Sequence, residues 1–331
     1  MIQTLTRQLL DRPSLQTDRY RPVPVQQSSS TLQEGFAMEL GTTGIWSLAF
    51  THGDRIEARD AAAELEELGY GAVWLGGSPG GNPRGDLVTA AEVLAATNRI
   101  AVTTACISIW ERSPDRLAAT YHGLPQQQRN RLLIGLGVSH ADFVNRYREP
   151  YHALRSYLDE LDAAAPPLPS AARIVGAHGP QMTRLAATRS TGVHPYLVDP
   201  AHTAWARSML GEGPLLALEQ TVILHTSAEA ARAKARTMLA PYLKLRNYRS
   251  AWLRGGFTTE DLALGGSDRM IDALFAWGSP DKIAARLTEH RQAGADHVAV
   301  QVVTDTPGTF ARQAWRDLAP ELVTAQAQPE A

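Results

Sequence analysis

The sequence predicts an α/β protein, a (β/α)8 barrel of the TIM type with a helical insertion after its seventh strand. Eight short apolar runs alternate with segments of helical periodicity. The runs are apolar at consecutive rather than alternate residues, which is typical of parallel strands covered on both faces. Eight strands that are each followed by a helix close most economically around one core. A doubly wound open sheet is the alternative fold.

The apolar runs are the candidate barrel strands. In chain order they span residues 43–50, 72–75, 100–109, 132–136, 173–175, 193–197, 215–224 and 297–303. A last helix is predicted at about 306–318. Helix starts lie between the runs: Asp54 with Glu57 three residues later is a capping-box pattern. Ser113, Asp199 and Ser279 each precede a proline, which favours a capped helix beginning there.

The chain divides into one large domain and two flanking segments. Residues 1–36 are rich in Pro, Gln, Ser and Thr and predict a flexible N-terminal extension. The barrel domain is expected over 37–320, and 321–331 form a C-terminal tail. About fifty residues, roughly 226–276, interrupt the strand–helix rhythm after the seventh strand. An insertion of this length in a compact fold is usually helical and functional, so we expect a lid over the site.

Composition excludes several classes of function. The 331 residues carry 32 basic and 34 acidic side chains without a Lys/Arg-rich block, so nucleic acid is not an expected partner. Cys106 is the only cysteine, which excludes an intramolecular disulfide and a cysteine-based metal cluster and favours the cytoplasm. No stretch approaches the roughly 18 apolar residues of a membrane span. We expect a cytoplasmic protein with a small-molecule substrate.

Histidines mark the carboxyl ends of the predicted strands, where barrels place their chemistry. His52 follows the first strand, His140 the fourth and His178 the fifth, and His194 lies within the sixth. Although most histidines are simply hydrogen-bonded or surface residues, an imidazole can exchange a proton near neutral pH. We therefore take His140, His52 and His194 as candidate catalytic residues.

Two glycine-containing turns follow neighbouring strands. Glycines let backbone N–H groups approach an anion closely, and a helix N-terminus favours negative charge. The pair therefore predicts a phosphate-binding site, although Gly137 and Gly179 could each merely supply turn geometry. The two turns comprise Gly137, Val138, Ser139 and His140 after the fourth strand, and Gly176, Ala177, His178 and Gly179 after the fifth.

Four further residues at strand ends are candidates for the substrate pocket. Trp46 and Trp110 could stack on a planar ring, although an aromatic residue at a strand end often only packs the barrel. Ser78 follows the second strand and Tyr196 lies in the sixth. We predict that these four side chains contact the substrate.

The chain resembles a known family from about residue 41 to 303. The stretches that carry the resemblance are ELEELGYGAVWLGGSP (64–79), GLGVSH (135–140), HPYLV (194–198), NYR (247–249), GGSDR (265–269) and AGADHVAVQV (293–302). In order and spacing they resemble the luciferase-like monooxygenase superfamily, and specifically an actinobacterial branch of F420-dependent oxidoreductases.

The resemblance implies a barrel that holds an isoalloxazine-like ring at the strand ends, and a homodimer. It implies that Thr104, Ala105 and Cys106 form a bulge with a non-proline cis peptide against one face of the ring, with Cys106 a wall residue. The two glycine turns would contact the ribityl phosphate. One departure matters: an Asp-His pair and a Glu of related deazaflavin dehydrogenases are replaced by Gly77-Ser78 and by His140. Their acid/base assignment therefore does not transfer.

The resulting expectation is hydride transfer between coenzyme F420 and a C=C, C=N or alcohol/ketone group. An FMN-dependent monooxygenase is the alternative, and a catalytically silent flavin-binding relative is a further one. A metal-dependent hydrolase would need a His-x-His pair on the first strand, but only His52 is present and no metal is expected. A glycosidase would need two carboxylates at the mouth, and Glu111 and Glu219 do not look paired.

Overall fold

A computed structural model describes residues 38–77, 82, 85–306 and 308–323. The predicted extension 1–36 and Ser78 lie outside the described residues, as does most of the predicted tail. The segment expected as tail begins within a helix, because the last helix continues to Leu322. None of the described helices has the length and apolarity that a membrane crossing requires.

The described strands form one sheet in which all pairings are parallel. They are β1 (Thr43–Ser47), β2 (Ala72–Gly76), β3 (Ala101–Ala105), β4 (Ile107–Ser108), β5 (Leu132–Gly137), β6 (Arg173–Val175), β7 (Gly192–Val193), β8 (Leu215–Ile223), β9 (Ala276–Trp277) and β10 (His297–Val302). β10 pairs with both β8 and β1, which closes the barrel. The predicted (β/α)8 barrel is confirmed, and the open doubly wound sheet is wrong.

The structure has two short strands in addition to the eight that the sequence predicts. The predicted third strand, 100–109, is split at Cys106, and its second part, β4, continues along β5. β9 adds to the end of β8 after the insertion. The third barrel position is thus filled by β3 and β4 together.

Helices surround the barrel in the order that the sequence predicts. They are α1 (Ala49–His52), α2 (Arg55–Glu67), α3 (Asp86–Ala96), α4 (Pro114–His122), α5 (Gln126–Arg129), α6 (Pro150–Ala163), α7 (Pro180–Arg189), α8 (Pro200–Leu210), α9 (Ala228–Leu239), α10 (Arg246–Arg254), α11 (Asp268–Leu274), α12 (Pro280–Gln292) and α13 (Arg312–Leu322). Asp54 and Asp199 accept capping hydrogen bonds from backbone N–H groups. Ser113 and Ser279 precede helices without making such bonds, so their predicted caps are wrong.

Three predicted boundaries differ from the structure. The first strand ends at Ser47 rather than at residue 50, because the chain turns into α1. The sixth barrel strand is only Gly192–Val193, and Leu197 has a φ of 54°, which is incompatible with a strand. The last helix begins at Arg312 rather than near residue 306.

The barrel interior is packed rather than open. The Trp74 side chain is fully buried, and its Nε1–H donates to Nε2 of His297 at 2.9 Å. Its ring stacks on the imidazole of His194, with centroids 4.3 Å apart. This packing closes the barrel below its carboxyl end, so a ligand has room only at the mouth.

The insertion after β8 is helical, as the sequence predicts. It comprises α9, a 3-10 turn at Tyr242–Lys244, α10 and α11. Two side chains of α10 bond to the barrel mouth: Trp252 donates to the Leu197 carbonyl at 3.1 Å and Arg254 to the His178 carbonyl at 2.8 Å. These bonds hold the insertion over the strand ends.

Candidate functional site

A cavity of about 400 Å³ opens at the carboxyl ends of the barrel strands. Its volume lies in the range of small-molecule and cofactor pockets. Residues from strand ends, from the loops that follow and from the insertion line it. They are Trp46, Gly77, Asn82, Asp86, Ala105, Cys106, Ser108, Glu111, Gly137, Val138, Ser139, His140, Phe143, Gly176, His178, His194, Tyr196, Pro241, Tyr242, Leu245, Asn247 and Tyr248.

The wall of the cavity between β3 and β4 is the Ala105–Cys106 peptide, which is cis, as the family resemblance implies. Three glycines pack closely against it. A Cβ at Gly77 would lie 3.1 Å from the Cys106 carbonyl oxygen, one at Gly137 3.2 Å from Cys106 Cβ, and one at Gly176 3.0 Å from Cys106 Sγ. These glycines therefore make room for the bulge, a role that the sequence did not suggest. Burial raises the pKa of the Cys106 thiol to about 12, so it stays protonated.

The two glycine turns lie side by side, because β5 and β6 are neighbouring strands. Gly137 and Gly176 line the same cavity. Ser139 adopts a φ of 55°, a left-handed conformation that is uncommon for non-glycine residues. Gly179 is the N-cap of α7 and has an extended φ of −112°, so no left-handed turn requires a glycine there. The nearest atom to a Cβ at Gly179 would be Nη2 of Arg254 at 3.9 Å, which leaves space above the helix start.

His140 lies half-buried in the cavity wall and contacts the insertion. Its Nδ1 is 2.9 Å from Oδ1 of Asn247. Because that oxygen can only accept a hydrogen bond, Nδ1 carries the proton and Nε2 is left as an acceptor. Burial lowers the pKa of the imidazole, which the Asn247 contact partly offsets. A neutral His140 can therefore receive a proton from a bound molecule.

His194 and His178 line the cavity, and each has a buried ring nitrogen. The Nδ1–H of His194 donates to the Ala217 carbonyl at 2.7 Å, and burial lowers the pKa of its imidazole to about 4. Burial also lowers the pKa of His178 well below its usual value, as do the charges of His202 and other neighbours. Nε2 of His194 and Nδ1 of His178 are buried and have no hydrogen-bond partner among the described residues. His194 can accept a hydrogen bond from a ligand at Nε2. His178 can donate or accept one at Nδ1, according to which ring nitrogen carries its proton.

Other predicted residues lie beside the cavity rather than in its lining. His52 is exposed at the end of α1, with Nδ1 2.8 Å from the Thr51 hydroxyl. Trp110 donates from Nε1 to the Val138 carbonyl at 2.6 Å, so it fixes the turn that carries Ser139. Thr104 bonds to the backbone of Gly135, and Ala177 is buried behind the turn.

Aromatic rings form the side of the cavity that the insertion covers. Trp46 packs on Tyr196 with ring centroids 5.3 Å apart, and Tyr242 and Tyr248 extend the cluster. The Tyr196 hydroxyl donates to Oε1 of Gln301 at 2.8 Å and lies 3.2 Å from the Tyr242 hydroxyl. The sequence predicted Trp46 and Tyr196 as pocket residues, but no sequence pattern indicated that Tyr242 lies beside them.

Two carboxyl groups border the cavity on the opposite side. Asp86 begins α3 and Glu111 follows β4. Burial raises the pKa of Glu111, and the nearby charge of Asp86 raises it further. The structure thus gives Glu111 a carboxylate neighbour that the sequence did not reveal. Within the described residues, no three His, Cys, Asp or Glu side chains come together as a metal site.

Glu219 is a third acid, buried inside the barrel at the level of the mouth. Its side chain is fully buried, and it accepts hydrogen bonds from the Thr221 hydroxyl and from the Leu197 N–H at 3.1 Å. Burial raises its pKa to about 8, against the lowering effect of the two bonds. Glu219 therefore holds a proton at neutral pH and fixes the Leu197 turn next to Tyr196.

Comparisons with known proteins agree with this architecture. The sequence profile of the family described as luciferase-like monooxygenase matches residues 38–297. A comparison with curated protein sequences finds no significant match. The site residues named above therefore rest on this chain's own geometry.

Solved structures with the same fold include enzymes with two different cofactors. An F420-dependent secondary alcohol dehydrogenase in complex with an F420-acetone adduct is 12% identical, with 85% of this chain and 98% of that one covered and a TM-score of 0.64. The coenzyme F420-dependent tetrahydromethanopterin reductase from Methanopyrus kandleri is 16% identical, with coverages of 86% and 99% and a TM-score of 0.67. The oxygenating constituent of 3,6-diketocamphane monooxygenase from Pseudomonas putida, in complex with FMN, is 14% identical, with coverages of 88% and 100% and a TM-score of 0.63.

Proposed function

We propose that this chain, which belongs to the luciferase-like monooxygenase family and is an oxidoreductase of that class, uses coenzyme F420. The proposed reaction is hydride transfer between the deazaflavin and a small organic substrate with a C=C, C=N or alcohol/ketone group. The observation that carries the proposal is the glycine-flanked Ala105–Cys106 wall beside a cavity of about 400 Å³.

The residues present fit a planar ring. Gly77, Gly137 and Gly176 surround the wall and project no side chains into the cavity, so a flat heterocycle can approach the backbone. Trp46 and Tyr196 supply aromatic surface to the same cavity. We assign Ala105, Cys106 and these glycines to the ring.

The residues also fit a phosphate. Gly179 caps α7, whose N-terminal N–H groups and dipole favour an anion. His178 Nδ1 is buried and unpartnered beside the same turn, and Arg254 bonds to the His178 carbonyl. In the tautomer with its proton on Nδ1, His178 can donate to a phosphate oxygen, and the Arg254 guanidinium adds positive charge beside the helix start. We assign the phosphate to Ser139, His178 and Gly179.

A bound deazaflavin supplies a carbon centre that donates or accepts a hydride. The chain supplies orientation and a proton acceptor. His140, with its Nδ1–H held by Asn247, offers Nε2 to a substrate hydroxyl. The insertion, bonded to the mouth through Trp252 and Arg254, shields the cavity from water. His140 thereby serves as the proton acceptor in place of the Asp-His pair, which this chain does not have.

FMN-dependent monooxygenation is the second candidate. The diketocamphane enzyme holds FMN on the same fold, and the proposed ring and phosphate contacts suit either cofactor. Fluorescence titration of the purified protein with F420 and with FMN separates the two, because only the true cofactor is expected to bind tightly and saturably. Preferential binding of FMN would refute the F420 assignment.

Gly179→Asp tests the phosphate site, and Gly179→Asn is its matched control. Asp and Asn cap helices about equally well, so both variants should fold as the wild type does. Only Asp places a negative charge beside the proposed phosphate, and we expect it to weaken cofactor binding at least about tenfold more than Asn does. Equal affinities of the two variants would contradict the assignment. Homodimer formation remains part of the proposal, and sedimentation velocity tests it.

A further inference from the structure

Tyr248 lies in the cavity wall, and its hydroxyl group has no hydrogen-bond partner among the described residues. The residue belongs to α10, and its side chain is only 7% exposed. Buried phenols normally find a partner. The hydroxyls of three other buried tyrosines do so: Tyr70 donates to the Trp315 carbonyl, Tyr157 to the Arg112 carbonyl and Tyr196 to Oε1 of Gln301. The free donor of Tyr248 in a cavity wall therefore indicates a ligand.

Neighbouring rings hold the Tyr248 phenol in place. Its ring centroid lies 4.7 Å from that of His178, 5.1 Å from that of Tyr242 and 5.6 Å from that of Trp252. The last of these rings is itself bonded to the barrel mouth. A donor that is fixed in this way loses little freedom when a ligand binds, which favours binding.

The phenol keeps its proton at neutral pH. Burial raises the pKa of Tyr248 well above its usual value, and the charges of Tyr242, Glu219 and Cys106 raise it further. The phenol is thus within electrostatic reach of Cys106, which belongs to the wall assigned to the ring. Tyr248 can therefore offer a hydrogen bond beside the ring without giving up the proton.

Tyr248 and His140 complement each other on the same side of the cavity. Their ring centroids are 5.6 Å apart, and both residues line the cavity. Tyr248 offers a donor, whereas His140 offers the acceptor Nε2 because its Nδ1–H is held by Asn247. An alcohol group can use both, since its oxygen accepts one hydrogen bond while its proton donates another.

We propose that the Tyr248 hydroxyl is a second catalytic group, which donates a hydrogen bond to the substrate oxygen on the carbon that exchanges the hydride. This inference rests on the proposed function and narrows its substrate to an alcohol/ketone pair. A C=C bond has no oxygen to accept from Tyr248. An amine needs its one lone pair to form C=N, so a donor on that lone pair would oppose the reaction.

The proposed step balances in both directions. In oxidation, the carbinol C–H bond breaks and its two electrons leave with the hydride for the deazaflavin. The O–H proton passes to Nε2 of His140, and the C–O bond becomes C=O. In reduction, negative charge develops on the carbonyl oxygen, where the fixed Tyr248 donor stabilises it until protonated His140 returns the proton.

The test uses isobutyramide as a probe on the F420-loaded protein. Its carbonyl oxygen can accept from Tyr248 and its N–H can donate to His140, but the deazaflavin does not oxidise or reduce it. The proteins are wild type, Tyr248→Phe and the control Tyr151→Phe, which removes a phenol outside the cavity lining. Titration measures the affinity for F420 and then for the probe. NMR of ¹³Cζ-labelled tyrosine follows the Tyr248 resonance, which the Phe variant identifies by its absence.

Tyr248→Phe should bind isobutyramide about two- to tenfold more weakly than wild type, because one hydrogen bond is lost. Its affinity for F420 should not change, and Tyr151→Phe should behave as wild type. The probe should shift the Tyr248 Cζ resonance in the wild type.

A ligand-free measurement separates this role from a structural one. Tyr248→Phe should be at least as stable as wild type in urea, because the hydroxyl has no partner to lose. Tyr196→Phe should be less stable, because it loses the bond to Gln301.

Four results overturn the inference in distinguishable ways. If the probe does not shift the Tyr248 resonance, or binds Tyr248→Phe as tightly as wild type, the hydroxyl does not contact the substrate, while the proposed function stands. If Tyr248→Phe weakens F420 binding as much as probe binding, the hydroxyl holds the cofactor instead. If Tyr248→Phe is destabilised as much as Tyr196→Phe, the phenol is structural. If F420 does not bind the wild type, the proposed function fails and the inference fails with it.

Discussion

Glu219→Gln tests whether the buried Glu219 carboxyl group is protonated at neutral pH. The glutamine is isosteric and can keep both contacts. Its carbonyl oxygen accepts from the Leu197 N–H, and its amide donates to the Thr221 hydroxyl oxygen, which reverses the direction of that bond relative to the wild type. It removes only the titrating proton. The replacement therefore isolates the free energy of ionising a carboxyl group in this fully buried place.

The magnitude follows from the pKa of Glu219, which rises from 4.5 in the unfolded chain to about 8 in the folded one. Between these values the folded protein binds one proton more than the unfolded chain, so stability falls as pH rises. From pH 6 to pH 8 the loss from this site is about 2 kcal/mol, since each pH unit is worth about 1.4 kcal/mol and the slope levels off near the folded pKa. The glutamine variant loses nothing at this site.

Urea unfolding followed by tryptophan fluorescence at pH 6, 7 and 8 measures the difference. The buried histidines titrate in both proteins, so only the difference between wild type and variant is informative. We expect Glu219→Gln to gain about 2 kcal/mol relative to wild type between pH 6 and pH 8. Glu212→Gln, at an exposed position, is the control and should show no such gain. A pH-independent difference for Glu219→Gln would refute a neutral, buried Glu219.

Two further predictions concern the cavity wall and one histidine. Gly176→Ala places a Cβ 3.0 Å from Cys106 Sγ, so we expect a loss of about 1–3 kcal/mol in urea unfolding. Gly179→Ser should cost much less, because its Cβ has no neighbour closer than 3.9 Å and serine is a favourable N-cap residue. Equal losses would show that the bulge tolerates a side chain. His194 should stay neutral from pH 5.5 to pH 8 with its proton on Nδ1, because burial lowers its pKa to about 4. A titration above pH 6 in its imidazole ¹⁵N shifts would contradict this.

The apolar runs predicted the barrel because both faces of a parallel strand are buried, and such burial requires apolar residues at consecutive positions. Their ends were less accurate, since apolar residues continue where the backbone leaves the sheet. Phe50 is fully buried in α1, and Leu197 is buried in a left-handed turn, so both look like strand residues. Side-chain burial alone does not distinguish a strand from a buried turn.

In the candidate site, the residues at strand ends could be predicted from the sequence, whereas those of the insertion could not. His140, His178 and His194 line the cavity because barrel strands end at a common mouth. His52 lies outside the lining, because the first strand ends at Ser47 and the chain turns into α1. Tyr242 and Asn247 reach the cavity from the insertion, far along the chain. Their positions depend on how the insertion folds back over the barrel, which no local pattern specifies.

Charge is distributed unevenly around the cavity. The imidazoles of His178 and His194 have lowered pKa values, and Glu219 holds its proton, so these three groups leave the centre neutral at pH 7. Two acidic groups, Asp86 and Glu111, border one side of the cavity, and Arg254 bonds to the His178 carbonyl beside the start of α7. We therefore expect a ligand that is anionic at one end to place that end near Gly179 and Arg254, away from the two acids. We also expect an anionic substrate to bind weakly beside Asp86 and Glu111, because like charges repel at close range.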